Sequence, residues 1–144
     1  MIGTQEEAAD LYWSMLMDDA APEGWTVLGQ GSQRIAVLAP SGVVYKVSIG
    51  ALGLRANRRE VAWMREWRDE GATCIPLASL HEVEDQWGGS TPVVAMEHIK
   101  ADDTEADLTE VLRLTIAAGV LDINGGNWIV RDGRAWIIDA GGVE

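Results

Sequence analysis

The sequence predicts an α+β fold: a five-stranded antiparallel sheet with one helix packed across it, followed by a helix, a loop and a small β-hairpin. Three observations predict it. Short apolar runs separated by Gly, Pro, Ser and Asp turns recur through residues 25–99, as antiparallel strands require. Residues 55–70 break that rhythm: Glu60, Trp63, Met64 and Trp67 are spaced to share one helical stripe. The last third holds an amphipathic stretch and then two apolar runs around Asp132-Gly133, a pair suited to a two-residue hairpin turn. The expected organisation is one domain over residues 1–144, with an N-terminal helix at 4–18, the sheet at 25–99 and a reduced C-terminal part at 100–144.

Each element has its own signal. Residues 4–18 place Ala8, Leu11, Tyr12, Met15 and Leu16 on one helical face, and Thr4 with Glu7 has capping-box spacing. Pro22 and Gly24 follow its end. Strands at 25–28 and 35–38 flank the turn Gly29-Gln30-Gly31-Ser32, and Pro40-Ser41-Gly42 leads into a third strand at 43–47. Gly71 stops the 55–70 helix. Strands at 78–83 and 92–99 are joined by a turn at Trp87-Gly88-Gly89-Ser90. A helix at 104–118 buries Leu108, Val111, Leu112 and Thr115, and strands at 128–130 and 135–138 close the chain.

Composition excludes several classes. A chain of 144 residues buries a real core. No segment is apolar enough to span a membrane, and the start MIGTQEEAAD lacks the features of a signal peptide. The one cysteine, Cys74, cannot pair within the chain, so a reducing cytoplasm is expected. With His81, His98 and Cys74 as the only soft or imidazole donors, a structural zinc site is not expected. A net charge of −12 disfavours nucleic acid. Seven tryptophans and no phenylalanine put tryptophan in the core, and arginine-rich, lysine-poor usage suits a bacterial or phage protein.

Lys46 is one of two lysines and stands in an otherwise apolar strand. A lysine on a solvated edge explains it for an isolated strand; Glu60 on an apolar helical stripe changes the balance, because a buried carboxylate needs a partner. An inward Lys46–Glu60 pair would aim an ammonium at a ligand phosphate. Gly29, Gly31 and Ser32 form either a plain hairpin turn or a loop whose amides approach phosphates, with Arg34 adding charge there or blocking entry. Asp122 and Asn127, five residues apart around Gly125-Gly126, suit turn chemistry or one shared pocket. Asp139 ends a strand before glycines, as a turn starter or as an oxygen ligand for magnesium.

In this order the residues resemble the protein-kinase-like superfamily over residues 25–142. GQGSQR resembles its nucleotide-covering loop, VYKV its strand lysine, and Glu60 in NRREVAWMREW the glutamate that partners it. VVAMEHI is similar to the strand and hinge that hold adenine. DINGGN is closest to the catalytic loop of aminoglycoside phosphotransferase and related small-molecule kinases, and IIDAG resembles the Asp-Phe-Gly magnesium site. The resemblance implies a nucleotide site for ATP and Mg2+. Lys46 would meet the α/β-phosphates, Met96 would act as gatekeeper, and the backbone of Glu97 and Ile99 would face the base. Asn127 and Asp139 would hold magnesium, and Asp122 would orient the acceptor hydroxyl. The chain departs from the pattern at Arg34 (a glycine in the loop), at Val120-Leu121 (His-Arg) and at Ala140 (Phe).

Glu144 lies five residues past Asp139, so the reading expects no activation segment and only a reduced helical half. The core thereby exposed is expected to be covered by the 4–18 helix or by a second copy, and the substrate site to be tiny, supplied by a partner, or absent. Two functions remain. One is a minimal ATP-dependent phosphotransferase acting on a hydroxyl of a small molecule or protein. The other is a catalytically inactive kinase-like module that binds a partner protein. Arg55, Arg58, Arg59, Arg65 and Arg68 crowd one helix, as a solvated face paired with local carboxylates or as a docking surface for an acidic partner.

Overall fold

The computed structural model describes residues 1–117 and 128–139. Helix α1 (Gln5–Asp18) is followed by β1 (Thr26–Gln30), β2 (Arg34–Leu38), β3 (Val43–Ser48), helix α2 (Ala51–Asp69), β4 (Ala78–Glu84) and β5 (Ser90–Glu97). Helix α3 (Thr109–Ala117) and the strands β6 (Trp128–Arg131) and β7 (Arg134–Ile137) complete the described chain. The large sheet is antiparallel in the order β1-β2-β3-β5-β4, and β6-β7 form a separate hairpin. The expected α+β class, with five antiparallel strands and a helix across them, is what is found.

Period-two alternation sorts the strand residues between the two faces of the sheet. Val44, Val94 and Met96 pack with Val61, Met64 and Trp67 of α2, and Val111, Leu114, Ala135 and Ile137 join that cluster. Ile35, Val37, Tyr45, Val47, Val83, Val93 and Ala95 form the other face with Ala8 and Leu11 of α1. Helix α1 therefore packs on β3, β4 and β5 from the side opposite α2. Among the described residues α1 packs on this sheet face and not on the C-terminal side, where it was one of two expected covers, because its apolar stripe matches the odd-numbered residues of β3 and β5.

Local chemistry shifts several boundaries. Gly29 and Gln30 belong to β1, with a register shift between Val27 and Gly29, so the turn proper begins at Gly31. Helix α2 starts four residues before the expected Arg55. Gly71 ends it in a Schellman arrangement: Ala72 N–H donates to Trp67 O at 2.9 Å and Gly71 N–H to Arg68 O at 3.0 Å. The expected helix at 104–118 begins only at Thr109. Asp102 Oδ1 accepts Thr104 N–H at 3.0 Å and Asp107 Oδ1 accepts Thr109 N–H at 2.9 Å, so short acidic side chains capture the backbone in turns instead of helix. The hairpin turn is as predicted, with Asp132 and Gly133 both at positive φ (54° and 74°). Asp102 Oδ2 and Thr104 Oγ1 accept the N–H groups of Asp132 and Gly133, each at 2.7 Å, and strap the 102–104 segment to it.

At the other end, Thr4 caps α1 by accepting Glu7 N–H at 3.1 Å. The return bond of a capping box runs through a third residue: Thr4 N–H donates to Tyr45 Oη (2.9 Å), which donates to Glu7 Oε1 (2.7 Å). Ile2 is held by Ser79 Oγ and His81 Nε2, each at 2.8 Å. Among the described residues, no helix is long and apolar enough to cross a membrane.

Candidate functional site

The candidate site lies on the α2 face, where β2 and β3 each contribute one cation. Register pairs Ala36 with Lys46, and alternation puts Arg34, two residues before Ala36, on that same face. Helix α2 supplies Asn57 and Glu60 one turn apart, both wholly buried. The hairpin brings Ile138 and Asp139 to the same place.

Lys46 Nζ donates to Glu60 Oε1 at 2.7 Å and to the carbonyl of Ile138 at 2.6 Å. Arg34 grips both oxygens of Glu60, at 2.8 and 3.3 Å, and donates to Asp139 Oδ1 at 2.6 Å. Asn57 Oδ1 accepts from Arg34 at 3.2 Å, while its amide donates to the carbonyls of Lys46 (3.1 Å) and Pro92 (3.0 Å). The β3–β5 pairing ends at Lys46–Val94, close to Pro92, which has no N–H. The Asn57 amide serves the carbonyls left over there.

The result is two cations and two carboxylates joined across β2, β3, α2 and the end of the hairpin. Burial alone would raise Glu60, but the charges of Lys46 and Arg34 outweigh it and hold its carboxyl well below the usual range. Burial pulls Arg34 down, yet Glu60 and Asp139 carry it above its ordinary value. For Lys46, burial, reinforced by the like charge of Arg34, outweighs the attraction of Glu60 and Asp139 and lowers it.

The structure brings Lys46, Glu60, Arg34 and Asp139 together and leaves other predicted residues apart from them. Gly29, Gly31 and Ser32 are exposed at the sheet edge. Gly31 N–H closes the turn onto Arg34 O at 2.9 Å. Met96 is buried opposite Val44. Glu97 N–H is taken by Leu77 O at 2.8 Å, and Ile99 follows the end of β5, half-buried. Asp122 and Asn127 lie outside the described residues. Of the arginines on α2, Arg58 pairs with Glu82 and Arg68 donates to Ile75 O at 2.7 Å, which favours a locally paired surface at those two positions.

Two further residues shape the site without having been predicted. Asn57 was legible in principle, since it stands one turn before Glu60 on the same stripe. Gly53 has the opposite signal, a helix breaker in a helix. A Cβ there would stand 2.2 Å from Gln33 O and 2.6 Å from Ser48 Cβ, so only glycine lets the first turn of α2 settle against the loop that carries Arg34.

Lys46 and Arg34 are the two cations that a polyphosphate would meet here. A divalent ion at Asp139 does not fit this arrangement, because the Arg34 guanidinium already holds Oδ1. Among the described residues, no group of three His, Cys, Asp or Glu side chains is placed to hold a metal ion. A separate groove of about 510 Å³ runs between the end of α2, residues 72–77 and Trp136. None of the four cluster residues lines it, and it lacks their converging charges.

No protein-family model matches the chain, and no curated protein does. Among solved structures the similarity is to nucleotide complexes of aminoglycoside phosphotransferases. The GDP complex of wild-type aminoglycoside 2'-phosphotransferase-IIIa is 16% identical with a TM-score of 0.48, over 82% of this chain and 48% of the other. A mutant of that protein, also with GDP, gives 15% and 0.48 over 82% and 47%. The GDP and kanamycin complex of APH(2'')-IIIa gives 15% and 0.46 over 78% and 35%. The chain thus spans less than half the length of each of these three.

Proposed function

We propose that this chain is a kinase-like nucleotide-binding module and that its reaction is phosphoryl transfer from ATP to a hydroxyl of a small molecule or protein. One observation carries the reading: the buried Lys46–Glu60 pair, 2.7 Å long, bridges strand and helix and reaches the backbone beside Asp139. Such a pair is not needed for stability, since apolar residues of similar volume commonly serve as well. It is needed where an ammonium must be held rigidly toward a phosphate. Lys46 would meet the α/β-phosphates, the β5 end from Met96 to Ile99 would receive the base, and Asp122 would accept the proton of the attacking hydroxyl. Magnesium at Asn127 and Asp139 belongs to the same reading only if Arg34 leaves Asp139.

That contact favours a second reading, a kinase-like module without catalysis that binds a partner protein or a second copy on its C-terminal side. Turnover separates the two. ATP consumption by the wild type, abolished in Asp122→Ala while nucleotide still binds, supports the enzyme; an Asp122→Ala variant that turns ATP over like the wild type removes Asp122 as the base.

A further inference from the structure

We propose that Arg34 is the fixed cation of this site, holding Asp139 where a divalent ion would otherwise stand, so that nucleoside polyphosphate binds without metal. The inference rests on the nucleotide reading above and specifies the form of the ligand.

Arg34 is the first residue of β2, and its side chain is 10% exposed. Its inner end is anchored on Glu60, 0% exposed, by two hydrogen bonds, and on Asn57 by a third. Its outer end meets Asp139, whose side chain is 44% exposed. The guanidinium is therefore fixed from inside, and its bond to Asp139 lies on the side that opens to solvent. Planar N–H groups aimed outward from a buried anchor are what a phosphate oxygen recognises, and the charge does not depend on pH.

Magnesium faces the opposite situation. It needs oxygen contacts of about 2.0–2.1 Å and sheds water reluctantly. To coordinate Asp139 Oδ1 it would compete with a guanidinium already 2.6 Å from that oxygen, and it would bring two positive charges beside two existing cations. Moving Arg34 aside would strip Glu60 of two of its hydrogen bonds in a fully buried position, which leaves its charge poorly compensated. A phosphate is itself an anion, so at Arg34 it exchanges the bond to Asp139 for another charge-assisted bond, which a cation cannot do. A phosphate can thus take over the Arg34 N–H that meets Asp139 while the Glu60 anchor stays in place.

The test is a calorimetric titration of the full chain with ATP, once with excess EDTA and once with excess magnesium. The expected result is wild-type binding in EDTA no more than about threefold weaker than in magnesium. In Arg34→Gln, binding in EDTA falls by about tenfold or more, and magnesium restores much of it. Arg34→Lys, which keeps the charge at lower geometric demand on folding, retains the metal-free binding more fully than Arg34→Gln. Wild-type binding that weakens about tenfold or more in EDTA overturns the inference and leaves the nucleotide reading standing. Absence of wild-type binding in both buffers removes the nucleotide reading, and this inference with it. The wild-type comparison decides even if Arg34→Gln does not fold.

Discussion

The two faces of the same five-stranded sheet bury polar groups in different ways. On the α1 face, Tyr45, Ser79 and His81 each satisfy backbone or side-chain groups of residues 2–7. They pin the N-terminal segment. On the α2 face, four charged side chains from four elements meet in one cluster. Strand alternation produces both faces from the same residues: Tyr45 and Lys46 are neighbours in β3 and point opposite ways. Hydroxyl and imidazole groups with one carboxylate tie down a helix on the α1 face. The α2 face instead gathers four charged groups, at a cost that apolar residues would avoid, and this is why the proposed chemistry is placed there.

The largest expected effect breaks the charged face. Glu60→Ala leaves Lys46 and Arg34 without their shared anchor and should cost about 3–5 kcal/mol in urea unfolding. Next comes Gly53→Ala, which drives a methyl into the Gln33 carbonyl and should cost about 1–3 kcal/mol while loosening the Arg34 contacts. Tyr45→Phe tests the other face and should cost about 1–2 kcal/mol, measured the same way, with nucleotide binding unchanged. A Tyr45→Phe loss as large as that of Glu60→Ala would erase the distinction between the faces.

The pH dependence sharpens the same contrast. Glu60 titrates near 4.5 when unfolded and is held at about 2 in the fold. Its depressed value means that its contribution is fully present above pH 4.5 and is lost as pH falls toward 2. Thermal melts across that window should show the wild type losing more stability than Glu60→Gln. Tyr45 goes the other way, pushed up to about 12 by burial and by its bond to Glu7. Absorbance titration should therefore find one tyrosine ionising near 12, and its contribution to stability is fully present below pH 10 and lost as pH rises from there to about 12. Smallest is the exposed Arg58–Glu82 pair: Arg58→Ala should change stability by less than about 1 kcal/mol.

Much of this was legible in the sequence because it followed from one residue needing another. A lysine in an apolar strand and a glutamate on an apolar helical stripe each lacked a partner until placed together, so their pairing was predictable without coordinates. Arg34 was harder. It looks like a loop residue in GQGSQR, and only its place in β2, two before Ala36, puts it on the Lys46 face. The length of α2 was under-read because Gly50 and Gly53 look like breakers. Close approach to Gln33 and Ser48 is what makes glycine necessary at Gly53. The 104–118 helix was over-read at its start: its apolar positions begin only at Leu108, and the Asp102 and Asp107 side chains hold the backbone before Thr109 in turns. Where α1 would pack was left open by the sequence, since an amphipathic stripe says that a helix packs but not on which face of a sheet.

The central claim is that the Lys46 cluster receives a nucleotide's phosphates, and the most direct measurement is ATP affinity in Lys46→Met beside wild type and Tyr45→Phe. Glu60 keeps Arg34 in Lys46→Met, so the fold should survive. The account predicts that wild type and Tyr45→Phe bind alike and that Lys46→Met binds at least about tenfold more weakly. Lys46→Met binding as tightly as wild type, or a wild type that does not bind ATP, would contradict it.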